Sequence, residues 1–147
     1  MVKSSVITNV WHQRTPLDAG SAKQIFRSIS QRQSLRTLDL DQTELGDEGV
    51  AELFSLISKH ECAVPLRYLY FNGTGINEQA CKQIGRYLAK SSCALLSLYL
   101  SANPIGSAAA ALAPGLSSNQ TLDRLFLQSS GLSDGPTTIP RVEGRAR

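Results

Sequence analysis

Apolar residues return along this chain at fixed offsets inside a recurring unit, Leu-x-x-Leu-x-Leu-x-x-(Thr/Asn/Ser)-x-(Leu/Ile). Four clear copies place Leu35, Leu38, Leu40, Thr43 and Leu45; Leu66, Leu69, Phe71, Thr74 and Ile76; Leu95, Leu98, Leu100, Asn103 and Ile105; and Leu122, Leu125, Leu127, Ser130 and Leu132. A degenerate first copy reads Ile7, Val10, His12, Thr15 and Leu17. The units start 28, 31, 29 and 27 residues apart, the period of a stacked β/α repeat. Each opens with strand alternation: Leu38 and Leu40 point one way, Thr37, Asp39 and Asp41 the other. Such a strand cannot cover its own apolar face. It pairs in parallel with the strand of the next unit, and the stack shares one core.

Two polar columns punctuate each unit. The ninth position holds Thr15, Thr43, Thr74, Asn103 and Ser130, side chains that bond to backbone and satisfy the peptide groups of a buried turn. Three residues on stand Asp18, Gly46, Asn77, Gly106 and Ser133, all residue types favoured at helix N-caps. Helices are expected over about 18–31, 46–60, 77–91 and 106–117, with apolar spacing such as Val50, Leu53, Phe54 and Ile57, or Cys81, Ile84 and Leu88. Strand, turn, cap and helix signals agree.

Taken together, these units resemble the ribonuclease-inhibitor-like leucine-rich repeat proteins. The likeness includes the strand-to-helix passage Leu45-Gly46-Asp47-Glu48-Gly49-Val50-Ala51-Glu52-Leu53 and the stretch Leu100-Ser101-Ala102-Asn103-Pro104-Ile105-Gly106, and covers roughly residues 6–135. It implies an α/β fold: a short leucine-rich-repeat solenoid with a parallel concave β-sheet and convex α-helices. It also implies macromolecular recognition, a role that members serve as inhibitors, immune sensors, GTPase regulators and bacterial effectors. The fold does not choose among these.

Both ends depart from the pattern. His12 stands where Leu40, Phe71, Leu100 and Leu127 stand in later units, so the first repeat is expected to be terminal and partly solvated. Asp134-Gly135-Pro136-Thr137-Thr138-Ile139-Pro140 replaces an amphipathic helix, because proline interrupts helices. The expected organisation is a solenoid over 1–135, about four full repeats and a partial fifth, then a divergent tail over 136–147.

The composition adds little beyond these patterns. With 147 residues, 41% hydrophobic and 18% charged, the chain reads as folded and soluble. A net charge of +3, partly from Arg141, Arg145 and Arg147, is too small and dispersed to indicate nucleic acid. No apolar run approaches the roughly 18–20 residues that span a bilayer, and no secretory signal follows Met1. Three cysteines without metal-ligand spacing point to reduced thiols and a cytoplasmic setting.

Parallel register would set equivalent residues side by side. The central outward column reads Trp11, Asp39, Tyr70, Tyr99 and Phe126, flanked by Asn9, Thr37, Tyr68, Ser97 and Arg124 and by Gln13, Asp41, Asn72, Ser101 and Gln128. Five of the nine aromatic residues thus face out of the core. Tyrosine and tryptophan offer large contact areas at low entropic cost, although strands also favour aromatics for cross-strand stacking. Trp11, Tyr68, Tyr70, Tyr99 and Phe126 are therefore the candidate partner-binding residues, rimmed by Asp39, Asp41 and Arg124. The expected partner is a protein, not nucleic acid or a membrane. Two further readings stand beside it: a regulatory module of a larger enzyme or of a GTPase or ubiquitin pathway, and self-association through the terminal repeats.

Catalytic chemistry finds no constellation. His12 and His60 lie in no metal motif and beside no nucleophile signature. Cys81 shares a helix column with Ala22, Val50 and Ala110 and reads as a packed thiol, whereas Cys62 and Cys93 fall near repeat junctions and are expected to be more accessible. Asp39, Asp41, Glu44, Asp47 and Glu48 lack a calcium-loop spacing; Asp47 and Glu48 suit a helix N-terminus instead. Gly73-Thr74-Gly75 fits a turn better than a phosphate loop. No cofactor, metal or catalytic residue is expected.

Overall fold

A computed structural model describes residues 8–31, 34–57 and 64–131. The expectations for His60, Cys62, Leu132, Ser133 and the 136–147 tail lie outside them. The elements run β1 (Asn9–Trp11), α1 (Ala19–Ser30), β2 (Thr37–Asp39), α2 (Gly46–Ile57), β3 (Tyr68–Tyr70) and α3 (Glu78–Leu88). They continue with β4 (Ser97–Tyr99), a 3-10 segment (Gly106–Leu112), α4 (Ala113–Ser118) and β5 (Arg124–Phe126).

The strands form one parallel sheet in sequence order, each paired with the next. The register joins Trp11, Asp39, Tyr70, Tyr99 and Phe126 across the sheet, and Val10, Leu38, Leu69, Leu98 and Leu125 beneath them. This is the short leucine-rich-repeat solenoid that the pattern of the units implies. Each strand alternates because its inner residue must meet a helix: Leu38, Leu69 and Leu98 are fully buried, whereas Val10 and Leu125 at the two ends are partly buried. Neighbouring strands sit about 4.8 Å apart, but packed helices need about 8–10 Å. Stacking the two layers repeat by repeat therefore bends the sheet onto the concave side.

The helices confirm most of the expected spans and correct two details. Asp18 caps α1 through its carboxylate, which accepts from the Ser21 N–H at 3.0 Å. Asn77 makes no side-chain cap on α3. That work falls to Asp47 of the preceding repeat, which accepts from the Asn77 N–H at 2.6 Å and the Gln79 N–H at 3.0 Å. Its charge thus serves the next helix's N-terminus while it also stands, with Glu48, in the first turn of its own.

The second correction concerns the last convex element, which opens as a 3-10 turn and becomes α-helical only at Ala113. Pro114 has no N–H to return to Ala110, and the Ala113 N–H bonds instead to the Ala110 carbonyl, three residues back. Three residues per turn rotate the faces, so Ala110 is exposed although Ala22, Val50 and Cys81 of the same column are buried.

Candidate functional site

The turns after the strands hold the sheet face in place. Thr43, Thr74, Asn103 and Ser130 are buried, while Thr15 of the first repeat is exposed. The Thr43 and Thr74 hydroxyls donate to the Leu40 and Phe71 carbonyls at 2.7 and 2.8 Å. Asn103 works across repeats. Its Oδ1 accepts from the Thr74 and Gly75 N–H groups at 2.9 Å each, and its Nδ2 donates to the Phe71 and Leu100 carbonyls at 2.7 and 2.9 Å. One buried amide therefore satisfies four peptide groups that the turn withdraws from water.

A second ladder runs along the seventh position. The Asp41 carboxylate accepts from the Asn72 N–H at 2.7 Å, the Asn72 Oδ1 accepts from the Ser101 N–H at 2.8 Å, and the Ser101 hydroxyl accepts from the Gln128 N–H at 3.1 Å. Each polar side chain caps the strand end of the next repeat. The sequence shows this column as polar, but nothing in it tells a side chain bonded along the sheet from one facing solvent.

On the sheet face, Tyr70, Tyr99 and Phe126 form a continuous stack. Their ring centroids are 4.2 and 4.5 Å apart with interplanar angles of 9° and 6°. That spacing is close to the strand spacing itself, so the parallel register sets the rings face to face. All three rings are half-buried. Trp11 at the other end is 64% exposed and Tyr68 is 38% exposed. Arg124 is exposed beside Asp123 at 3.8 Å.

Asp39 and Asp41 differ from an exposed rim. Asp39 is only 5% exposed. One of its oxygens takes the Gln13 side-chain amide and the other accepts from the Asp41 N–H at 3.0 Å. Asp41 is half-buried, and burial pushes its pKa up against the two bonds from Asn72, with the Asp39 charge adding to the rise. Burial also raises the Tyr70 phenol, and Tyr99, Asp39 and Asp41 push the same way. Burial is the first cause of both shifts, and the neighbouring carboxylates add to it at the β2–β3 end of the aromatic column.

Sequence comparison fits this geometry. The chain is 28% identical to ribonuclease inhibitor of Mus musculus over 106 residues, 72% of this chain and 23% of that protein. It is 33% identical to "NACHT, LRR and PYD domains-containing protein 3" of Rattus norvegicus over 90 residues, 61% of this chain and 8% of that protein. No protein-family model matches. The chain folds as a leucine-rich-repeat solenoid and is similar in sequence to repeat proteins of the ribonuclease-inhibitor-like type. The aligned part spans less than a quarter of either relative's length.

Among the described residues of this leucine-rich repeat chain, both cysteine thiols are packed away. Cys81 is fully buried, and burial pushes its thiol up to about 11. Cys93, expected to be more accessible, is 4% exposed: Asn119 Nδ2 bonds to its sulfur at 3.5 Å, the Thr121 hydroxyl bonds to its carbonyl at 3.3 Å, and burial raises its thiol too. Such thiols supply little thiolate at neutral pH. The Nε2 of His12 and the hydroxyl of Tyr87 are buried without a hydrogen-bond partner. Between α2 and α3 lies a groove of about 410 Å³ lined by Ala51, Phe54, Ser55, Gln83, Arg86, Tyr87 and Lys90. Among the described residues no three His, Cys, Asp or Glu side chains gather as a metal site, and no helix is long and apolar enough to cross a membrane.

Proposed function

We propose that this leucine-rich repeat chain binds a protein partner through its concave sheet face and acts by affinity rather than by catalysis. The observation that carries the reading is the Tyr70–Tyr99–Phe126 stack, with the exposed Trp11 in the same column beyond Asp39. Flat rings held in register by a rigid sheet bury large areas on contact and lose little side-chain entropy. Tyr68 and Arg124 border the column, and the Asp39–Asp41 pair gives it a polar end. The relative named as an inhibitor is consistent with action by binding, and the same solenoid is proposed to extend over residues 1–135, with 136–147 as a separate tail.

Affinity capture with mass spectrometry tests the reading, comparing the native chain with a Trp11→Ala/Tyr99→Ala/Phe126→Ala variant of matched circular dichroism. Each ring is expected to contribute on the order of 2 kcal/mol, so the triple variant loses its specific partner. An identical partner set from both chains overturns the reading and moves recognition to the convex helices.

A further inference from the structure

The aromatic column is broken once. Between Trp11 on β1 and Tyr70 on β3 the register places Asp39, a short carboxylate side chain. The two rings therefore stand two strand spacings apart, about 9.6 Å at the backbone, with a carboxylate between them and a second, Asp41, at the adjoining strand end. Among the described residues, no aromatic ring stacks on Trp11 and no lysine, arginine or histidine nitrogen forms an ion pair with Asp39 or Asp41. The Asp39 carboxylate is instead covered by the amide of Gln13, an exposed side chain two residues beyond the end of β1. An amide donor thus occupies the place that a cation would fill with greater electrostatic gain.

We propose that this break is a receptor for an arginine side chain of the bound protein, with the guanidinium between Trp11 and Tyr70 and its N–H groups on Asp39 and Asp41 in place of Gln13. The proposal rests on the concave-face reading and names the partner's chemistry: a segment that offers one arginine to β1–β3 and apolar or aromatic surface to the Tyr99–Phe126 end. A guanidinium suits the place on three counts. It is planar and stacks on rings. It carries five donors in a fork that matches carboxylates. It is also weakly hydrated, so it enters a half-buried site at a smaller desolvation cost than an ammonium.

Trp11 is the chain's single tryptophan, so its emission reports directly on the break. The probe is the peptide acetyl-Gly-Arg-Gly-amide, with the citrulline peptide as its neutral isostere. The arginine peptide is expected to change Trp11 emission saturably at roughly millimolar concentration, the citrulline peptide is not, and added salt weakens the response. An Asp39→Asn/Asp41→Asn variant keeps acceptor oxygens for the Asp41 and Asn72 N–H groups and loses about tenfold or more in affinity. A Gln13→Ala variant clears the competing amide and binds the arginine peptide several-fold more tightly, a gain that misfolding cannot imitate. Equal responses to arginine and citrulline, or no saturable response, overturn the proposal. So does a response to calcium or magnesium chloride that the arginine peptide neither matches nor displaces, since the carboxylates then serve a metal. Phe126→Ala leaves the peptide titration unchanged while weakening partner capture. No arginine response, with partner capture still weakened by Phe126→Ala, therefore removes the arginine site alone, whereas partner capture unchanged by Phe126→Ala removes the concave-face reading.

Discussion

Asn103 shows how a single residue maintains this face. Its amide joins two repeats by satisfying two N–H groups and two carbonyls in a site that is 1% exposed. Asn103→Ala leaves those groups without partners, and unpaired buried peptide groups cost on the order of 1–3 kcal/mol each before relaxation. The expected loss is about 3 kcal/mol, read as a lower urea midpoint with an unchanged slope. The ninth position of each unit was legible in the sequence as hydrogen-bonding chemistry. The crossing to the neighbouring repeat was not, because it depends on a strand register that brings Asn103 to the Phe71 carbonyl, 32 residues away. The left-handed residues that recur at one equivalent place in the turns, Arg14, Gln42, Gly73, Ala102 and Ser129, with φ between 54° and 61°, were hidden for a similar reason. Only one is glycine, so composition does not announce a conformation that the turn's other bonds impose.

Among the described elements, the last convex segment is the least regular, and it docks closely on α3. Gly85 on α3 and Gly115 on α4 meet backbone to backbone. A Cβ on Gly115 would lie 2.1 Å from the Gly85 carbonyl oxygen, and one on Gly85 would lie 2.5 Å from the Ala111 carbonyl oxygen. Neither obstacle is a side chain that can turn away. Gly115→Ala is therefore expected to destabilise by about 3 kcal/mol, despite alanine's better helix propensity. Thermal unfolding of the variant against the native chain measures it, and an unchanged midpoint would mean that α4 shifts freely on α3. The helix was foreseeable from its cap column and apolar spacing. Pro114 marks where its 3-10 opening passes into α-helix, and its close approach comes from two glycines that look unremarkable until the repeats are stacked.

Across the whole molecule, stability is expected to be graded along the stack, since each repeat packs mainly against its neighbours. The central strands are lined by fully buried leucines, whereas the first repeat has a partly buried Val10, an exposed Thr15 and an unpartnered Nε2 on His12. Native-state hydrogen exchange should find the His12 amide, bonded to the Asp39 carbonyl at 2.8 Å, exchanging roughly 100-fold or more faster than the Phe71 amide, bonded to the Tyr99 carbonyl at the same distance. Equal protection would show one cooperative block.

The sequence by itself determined the repeat, the parallel order of the strands, the membership of the aromatic column and the leucines beneath it, because strand alternation and a near-constant period leave few ways to bury those faces. The tertiary structure alone decided which polar residues of that face are free. Asp39 stays on the sheet face but is covered by Gln13, Asp41 and Asn72 bond along the strand ends, and Asp47 reaches the next helix. Each outcome depends on a neighbour supplied by another repeat, and on burial that changes the energy of a charge without changing its place in the pattern.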